Sequence, residues 1–236
     1  MKYIATLAFA ILFSGAAIAQ FGIKATYRTN DAPNWLYTDA AQNIESILPE
    51  FTVGIGLDYW IPMKAYRIDF VPELNFSRMN NTIETGNSIE TNEVTLNNTW
   101  FSLFLNTNIY FLDLEGDCDC PTFSKSGGAL QKGLFLQLSP GVSWIKSKLE
   151  KDGMAADSDD ATFSMAAALG LDVGLSDMLT LTPMVGFRYY LPTQWESLSS
   201  PAFFGDGSNG EGIMNEKSSI RQFYAGLRVG LRLDQR

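Results

Sequence analysis

The sequence contains no histidine and only two cysteines, Cys118 and Cys120. Without imidazole there are no Ser-His or Cys-His catalytic pairs and no histidine metal sites. Two cysteines separated by one residue exclude a disulfide scaffold. Positive charge is also scarce: 17 Lys and Arg stand against 26 Asp and Glu, a net charge of −9. A nucleic-acid binder carries the opposite balance, so no nucleic-acid partner is expected. Beyond the first twenty residues, no segment approaches the roughly 18 uninterrupted apolar residues of a membrane helix.

The one long apolar run opens the chain. In "MKYIATLAFAILFSGAAIAQ", Lys2 precedes an apolar stretch that ends in Ala17-Ile18-Ala19. That order predicts a secretory signal peptide over residues 1–19, cut before Gln20. The rest of the chain, 20–236, is then exported.

After this segment one pattern recurs: about ten residues of alternating polarity, then a polar, Gly-rich or Asn-rich connection. "FYAGLRVGLRL", from Phe223 to Leu233, shows it plainly. Period two puts Phe223, Ala225, Leu227, Val229, Leu231 and Leu233 on one face, with Tyr224, Gly226, Arg228, Gly230 and Arg232 on the other. A helix mixes these faces and places glycines in its interior, so the stretch reads as a strand. Seven further stretches read likewise: 21–29, 51–60, 66–77, 99–111, 134–145, 163–175 and 179–191. Short connections such as 61–64 and 176–178 alternate with longer ones at 30–50, 78–98, 146–162 and 192–219. The longer link 112–133 falls on the short-turn side. The plan is an all-β, eight-stranded antiparallel up-and-down transmembrane β-barrel.

A soluble sandwich or a lipocalin-like barrel is the rival, with its apolar faces turned inward. Three features favour lipid. The polar faces are rich in glycine, as a crowded small lumen requires. Their charges nearly balance: Lys24, Arg28, Arg67, Arg188, Arg228 and Arg232 accompany Asp58, Asp69, Glu73 and Asp172. Such a set forms an ion-pair network when it points inward. Aromatics also gather in two rims, one with Phe21, Tyr59, Tyr66 and Phe111, the other with Tyr27, Phe51, Phe76, Phe101, Trp144, Phe163, Tyr189 and Phe223, as girdles do. Pro72, Pro140 and Pro183 fall inside strands of a sheet without edges, which predicts a bulge or a strand end at each.

The signal ending "AIAQ", the alternating strands and the closing "YAGLRVGLRL" resemble the small eight-stranded outer-membrane barrels of the Bacteroidota, the PorT-like or OmpA-like barrel-domain proteins. The resemblance covers Gln20 to Arg236. It implies an outer-membrane location with both termini in the periplasm, and for PorT-like members a link to type IX protein secretion. One departure is the ending "LDQR", where many such barrels end in an aromatic residue.

Candidate sites follow from the same reading. No catalytic residue, cofactor or metal is expected. Asp58, Asp69 and Glu73 lie on neighbouring strands, but a structural network with Arg67 explains them better than a carboxylate-only active site. Side chains just fill the interior of an eight-stranded barrel, so Arg28, Arg67, Arg188, Tyr190, Trp60 and Tyr224 exclude a steady channel. "EGDCDCPTFSKSGG" (115–128) places Cys118 and Cys120 in the oxidising periplasm, as a local disulfide staple or a redox or docking element. The acidic "DSDD" (157–160) with Glu84, Glu90 and Glu93 forms a solvated surface or bridges to lipopolysaccharide through divalent ions. In the first loop, Trp35, Leu36, Ala40, Ile44, Ile47 and Leu48 stand near helical spacing, as a capping helix or a partner contact. In the fourth loop, Trp195, Phe203 and Phe204 are candidate contacts with a partner or membrane, and Phe203 and Phe204 equally suit tucking back onto the rim. The expected partners are outer-membrane lipid, lipopolysaccharide, and other envelope or secretion proteins.

Overall fold

The computed structural model describes residues 20–232, apart from 40, 64–65, 88–89, 113–132, 177, 205–211 and 214. Eight long strands follow one another: β1 (Gln20–Asp31), β2 (Phe51–Tyr59), β3 (Ile68–Asn87), β4 (Glu90–Ile109), β5 (Leu134–Lys151), β6 (Met154–Leu171), β7 (Leu179–Gln194) and β8 (Lys217–Arg232). Each pairs antiparallel with the next. β8 returns to β1, with Gln20 opposite Arg232 and Asp31 opposite Arg221. The sheet is therefore a closed barrel, and its first and last strand ends meet at one end. We call this the turn end and the opposite one the loop end.

The alternation read from the sequence sets the two faces. On β1, Ile23 is 56% exposed and its neighbour Lys24 is 1% exposed. Ile55, Leu74, Leu103, Met165 and Val185 are likewise at least half exposed. An apolar belt encircling the barrel far exceeds the patch a water-soluble monomer tolerates. The exposed side is thus a lipid-facing side. Girdle aromatics pair across strands, Phe21 with Tyr59 and Tyr27 with Phe51 at 5.3 Å, and Phe76 with Phe101 at 5.1 Å between ring centroids.

The prolines do not produce the bulges expected of them. Pro72 pairs with Leu105 and Pro183 with Leu227 in unbroken ladders. Toward the other neighbour the ladder is interrupted and then resumes in the same register: β3 skips from Glu73 to Phe70, and β7 from Met184 to Leu181. Pro140 sits at a similar gap between the Gly141 and Leu138 pairs with β4. A missing N–H removes one rung without displacing the strand. The register shift lies between Tyr190 and Thr193, at Pro192.

The segments 78–98 and 146–162, expected to be loops, are continuations of strands. β3 and β4 are 20 residues each, about 66 Å of chain at roughly 3.3 Å per residue. Crossing the bilayer takes only about 9–11. At the loop-end girdle the polarity of the two faces inverts. On β3 the outward series runs Leu74, Phe76, then Arg78, Asn80, Thr82 and Glu84; the inward series runs Glu73, Asn75, Ser77, then Met79 and Ile83. On β5 the outward Val142 and Trp144 give way to Lys146 and Lys148, while Ile145 and Leu149 turn inward. Below the girdle the outside meets hydrocarbon; above it the outside meets water and the inside must be dry. A two-residue turn closes β5–β6, with Asp152 at φ 49° and Gly153 at φ 80°, the left-handed pair that an Asp-Gly hairpin supplies.

The first loop is a small hairpin, not a helix. Leu36–Thr38 pairs with Ile44–Ser46, and Gly212–Ile213 of the fourth loop adds to it. Asp39 closes its turn by accepting from the Asn43 backbone and side-chain amides, both at 2.7 Å.

Candidate functional site

The lumen below the loop-end girdle is built in two tiers. Nearest the turn end, Arg228 on β8 donates to Asp58 on β2 through Nε at 2.8 Å and Nη2 at 2.6 Å. The bond crosses over β1 at Gly22, whose position lies so close that a Cβ there would fall 2.5 Å from both Arg228 Nε and Asp58 Oδ1. Tyr110 donates to Asp172 Oδ2 at 2.5 Å, and Thr182 donates to the other carboxylate oxygen. The Arg67 guanidinium lies 4.8 Å above the Tyr110 ring. Asp69 is buried on β3 opposite Asn108, which accepts from Gln137 at 2.7 Å.

One tier toward the loop end, Lys24 pairs with Glu73. Glu73 also accepts from Asn106 at 2.7 Å and Asn75 at 3.0 Å. Arg28 donates from Nη2 to Asn75 at 2.6 Å and from Nε to Thr26 at 2.9 Å. Arg188 is fully buried, 3.8 Å above the Phe104 ring centroid and 5.3 Å from that of Tyr224. Glycine again makes the room: a Cβ on Gly54 would sit 2.1 Å from Arg28, and one on Gly56 2.6 Å from Glu73.

Of the ten residues expected in this network, the structure brings Lys24, Arg28, Asp58, Arg67, Asp69, Glu73, Asp172, Arg188 and Arg228 into the lumen or its turn-end mouth. The side chain of Arg232 lies outside the described residues, as do Cys118 and Cys120. The candidate carboxylates do not converge as an active site: Asp58 is engaged by Arg228 and Glu73 by Lys24. Among the described residues no group of three His, Cys, Asp or Glu side chains is placed to hold a metal ion.

Phe104 and Phe135 were missed. Both sit on polar faces, yet both are fully buried inside. Phe104 fills the space left at Gly141 on β5, and Phe135 that at Gly170 on β6. Glycine on one strand and phenylalanine on its neighbour are complementary only once register is known.

Above the girdle the interior is a dry core. Met79, Ile83, Val94, Leu96, Ile145 and Leu149 from the strand extensions pack with residues of the first and fourth loops. The candidate contact residues Trp35, Trp195, Phe203 and Phe204 all lie in this core, so none presents a surface to a partner. Trp35 meets Trp195 edge-on at 5.6 Å, and Tyr37 meets Phe204 at 5.7 Å. Trp35 Nε1 donates to the Glu216 carbonyl at 3.0 Å, and Lys151 to the Phe203 carbonyl at 3.0 Å. The tryptophans and phenylalanines described in these loops fold back because the inward side of the strand extensions offers them an apolar surface, whereas Ile44 of the first loop stays exposed. Outside, the acidic run is matched across strands: Asp157 stands opposite Lys148 and Asp159 opposite Lys146.

A closed eight-stranded barrel with an apolar outer belt, two aromatic rims and an ion-paired lumen defines the class: a membrane-spanning β-barrel. No family model matches the chain, and no curated protein matches it. Solved structures similar to it include Ail, the attachment invasion locus protein of Yersinia pestis, at 8% identity and a TM-score of 0.45 over 90% of this chain and 99% of that one. Neisserial surface protein A is similar at 11% identity and a TM-score of 0.42, over 91% and 97%. The outer membrane protease OmpT of Escherichia coli is similar at 6% identity and 0.41, over 92% and 97%.

Proposed function

We propose that this protein is a non-enzymatic outer-membrane barrel that acts by holding a partner at the water-facing wall of its strand extensions, as an accessory subunit of a secretion (type IX-like) or envelope assembly. Both termini are then periplasmic, and the loop end faces outward. The observation that carries the reading is the inversion of polarity on β3, β4 and β5. A membrane anchor alone needs no such extensions. Here they form a rigid polar wall, with Arg78, Asn80, Lys146 and Asp159 outward and a dry core behind. A preformed wall loses little entropy when a partner docks on it. The core closes the barrel mouth, which argues against transport, and the lumen carboxylates Asp58 and Glu73 are tied into ion pairs and Asp172 into hydroxyl hydrogen bonds, which argues against catalysis. The resemblance to PorT-like barrels supports the secretion context.

A second reading, a stand-alone structural or adhesive barrel, draws on the same wall: its exposed face suits a surface ligand as well as a subunit. Purification of the tagged protein from native outer membranes in mild detergent, with mass spectrometry of co-purifying proteins, separates the two. A stoichiometric set of envelope proteins, lost when Arg78, Lys146 and Lys148 are changed to Glu, supports the assembly subunit. Isolation of the barrel alone overturns that role and leaves ligand binding by the same wall to be tested.

A further inference from the structure

The loop-end tier of the lumen carries more positive charge than its carboxylates answer. Lys24, Arg28 and Arg188 are all buried there. Arg188 acts as a like charge on both Lys24 and Arg28, and all three lie in the field of Glu73, with Asp58 acting on Lys24 as well. The other buried carboxylates are engaged nearer the turn end: Asp58 by Arg228, Asp172 by Tyr110 and Thr182, while Asp69 lies opposite Asn108. Glu73 is bonded directly to Lys24. Arg28 is anchored by neutral oxygens of Asn75 and Thr26. Arg188 has the poorest set: two ring faces and a 3.5 Å contact to the Tyr190 hydroxyl. Among the described residues its Nε has no hydrogen-bond partner, and neither does the buried hydroxyl of the adjoining Tyr224.

A buried charge is stable only when paired and hydrogen-bonded. Aromatic faces attract a cation but supply no full negative charge. Among the described residues no carboxylate is bonded to Arg188, and the tier holds two buried polar groups without a partner on adjoining side chains, Arg188 Nε and the Tyr224 hydroxyl.

We propose that the lumen binds a single small monovalent anion of the halide class, chloride in the cell, held by Arg188 Nε and the Tyr224 hydroxyl in the field of Arg28. Phe104, Tyr190 and Tyr224 are buried in this tier, and an interior that side chains just fill excludes a polyatomic anion such as phosphate.

The test is crystallisation of the refolded, full barrel with bromide, read by anomalous scattering. Beside it, thermal unfolding in detergent is followed as chloride replaces gluconate at constant ionic strength. The expected result is a bromide peak beside Arg188 and a saturable rise in the unfolding midpoint, on the order of 3 °C. Arg188→Gln and Arg188→Met lose the chloride dependence, whereas the exposed Arg221→Gln keeps it. Should either Arg188 variant fail to fold, the wild-type bromide peak decides. A water in place of bromide, with equal midpoints in chloride and gluconate, overturns the proposal.

Discussion

Arg228 and Asp58 are 170 residues apart in the chain and meet through two parallel hydrogen bonds of 2.8 and 2.6 Å over the glycine that separates their strands. Removing one partner strands the other charge in a buried site, at a cost of about 3–5 kcal/mol. Asp58→Ala is expected to lower the stability of the refolded barrel by that amount in urea titrations in lipid vesicles. The double change Asp58→Leu with Arg228→Met restores most of it, because a well-packed apolar pair replaces a buried ion pair at little net cost.

Lumen glycines are expected to behave as packing partners. A Cβ at Gly170 would lie 2.2 Å from the Phe135 ring. Gly170→Ala overpacks the site and destabilises by about 1–3 kcal/mol. Phe135→Leu in the same chain recovers much of the loss, which equilibrium unfolding of the single and double variants will show.

Tryptophan exposure gives a direct test of the lipid-facing belt. Trp144 is 62% exposed on the outside of β5, whereas Trp35, Trp60, Trp100 and Trp195 are buried. In vesicles of brominated lipid, Trp144 accounts for most of the fluorescence quenching, and Trp144→Phe removes it. Quenching that persists in that variant contradicts the assigned faces.

The loop end should respond to acid through Asp160. Partial burial pushes its carboxyl up, but bonds from Thr193 Oγ and the Gln194 amide, both 2.6 Å, and from the Ala161 amide at 2.8 Å outweigh it and hold the carboxyl below its ordinary value. A depressed carboxyl supplies stability that is complete above its unfolded value of about 3.9 and fades as pH falls through the lower folded value. The attachment of β7 to β6 at Gln194 is thus expected to loosen below about pH 4. Amide exchange at Gln194 reports it, and Asp160→Asn shows the loosened exchange at neutral pH as well.

Much of this was legible in the residues. Period-two alternation defined which side of every membrane strand faces lipid, because a strand's side chains have only two directions and the membrane belt leaves one of them apolar. The aromatic rims and the charged lumen set followed from the same phase. The strand extensions read as loops for the same reason: beyond Phe76 and Phe101 the alternation continues with its polarity reversed, which puts Met79 and Ile83 out of phase with the membrane segment. Asp152-Gly153 was the one local signal that a hairpin, not a loop, closes β5 and β6. The buried destinations of Trp35, Trp195, Phe203 and Phe204 had no local signal, since an apolar residue in a loop is written the same way whether it meets a partner or its own core.

By itself the sequence determined the number of membrane strands, their facing and the absence of imidazole chemistry, all of which depend on residue type and on a repeat of two. Only the tertiary structure decided who pairs with whom: Arg228 with Asp58, Lys24 with Glu73, Phe104 with the space at Gly141. Those partners lie on different strands, and barrel closure with its register, which no single strand encodes, brings them within reach.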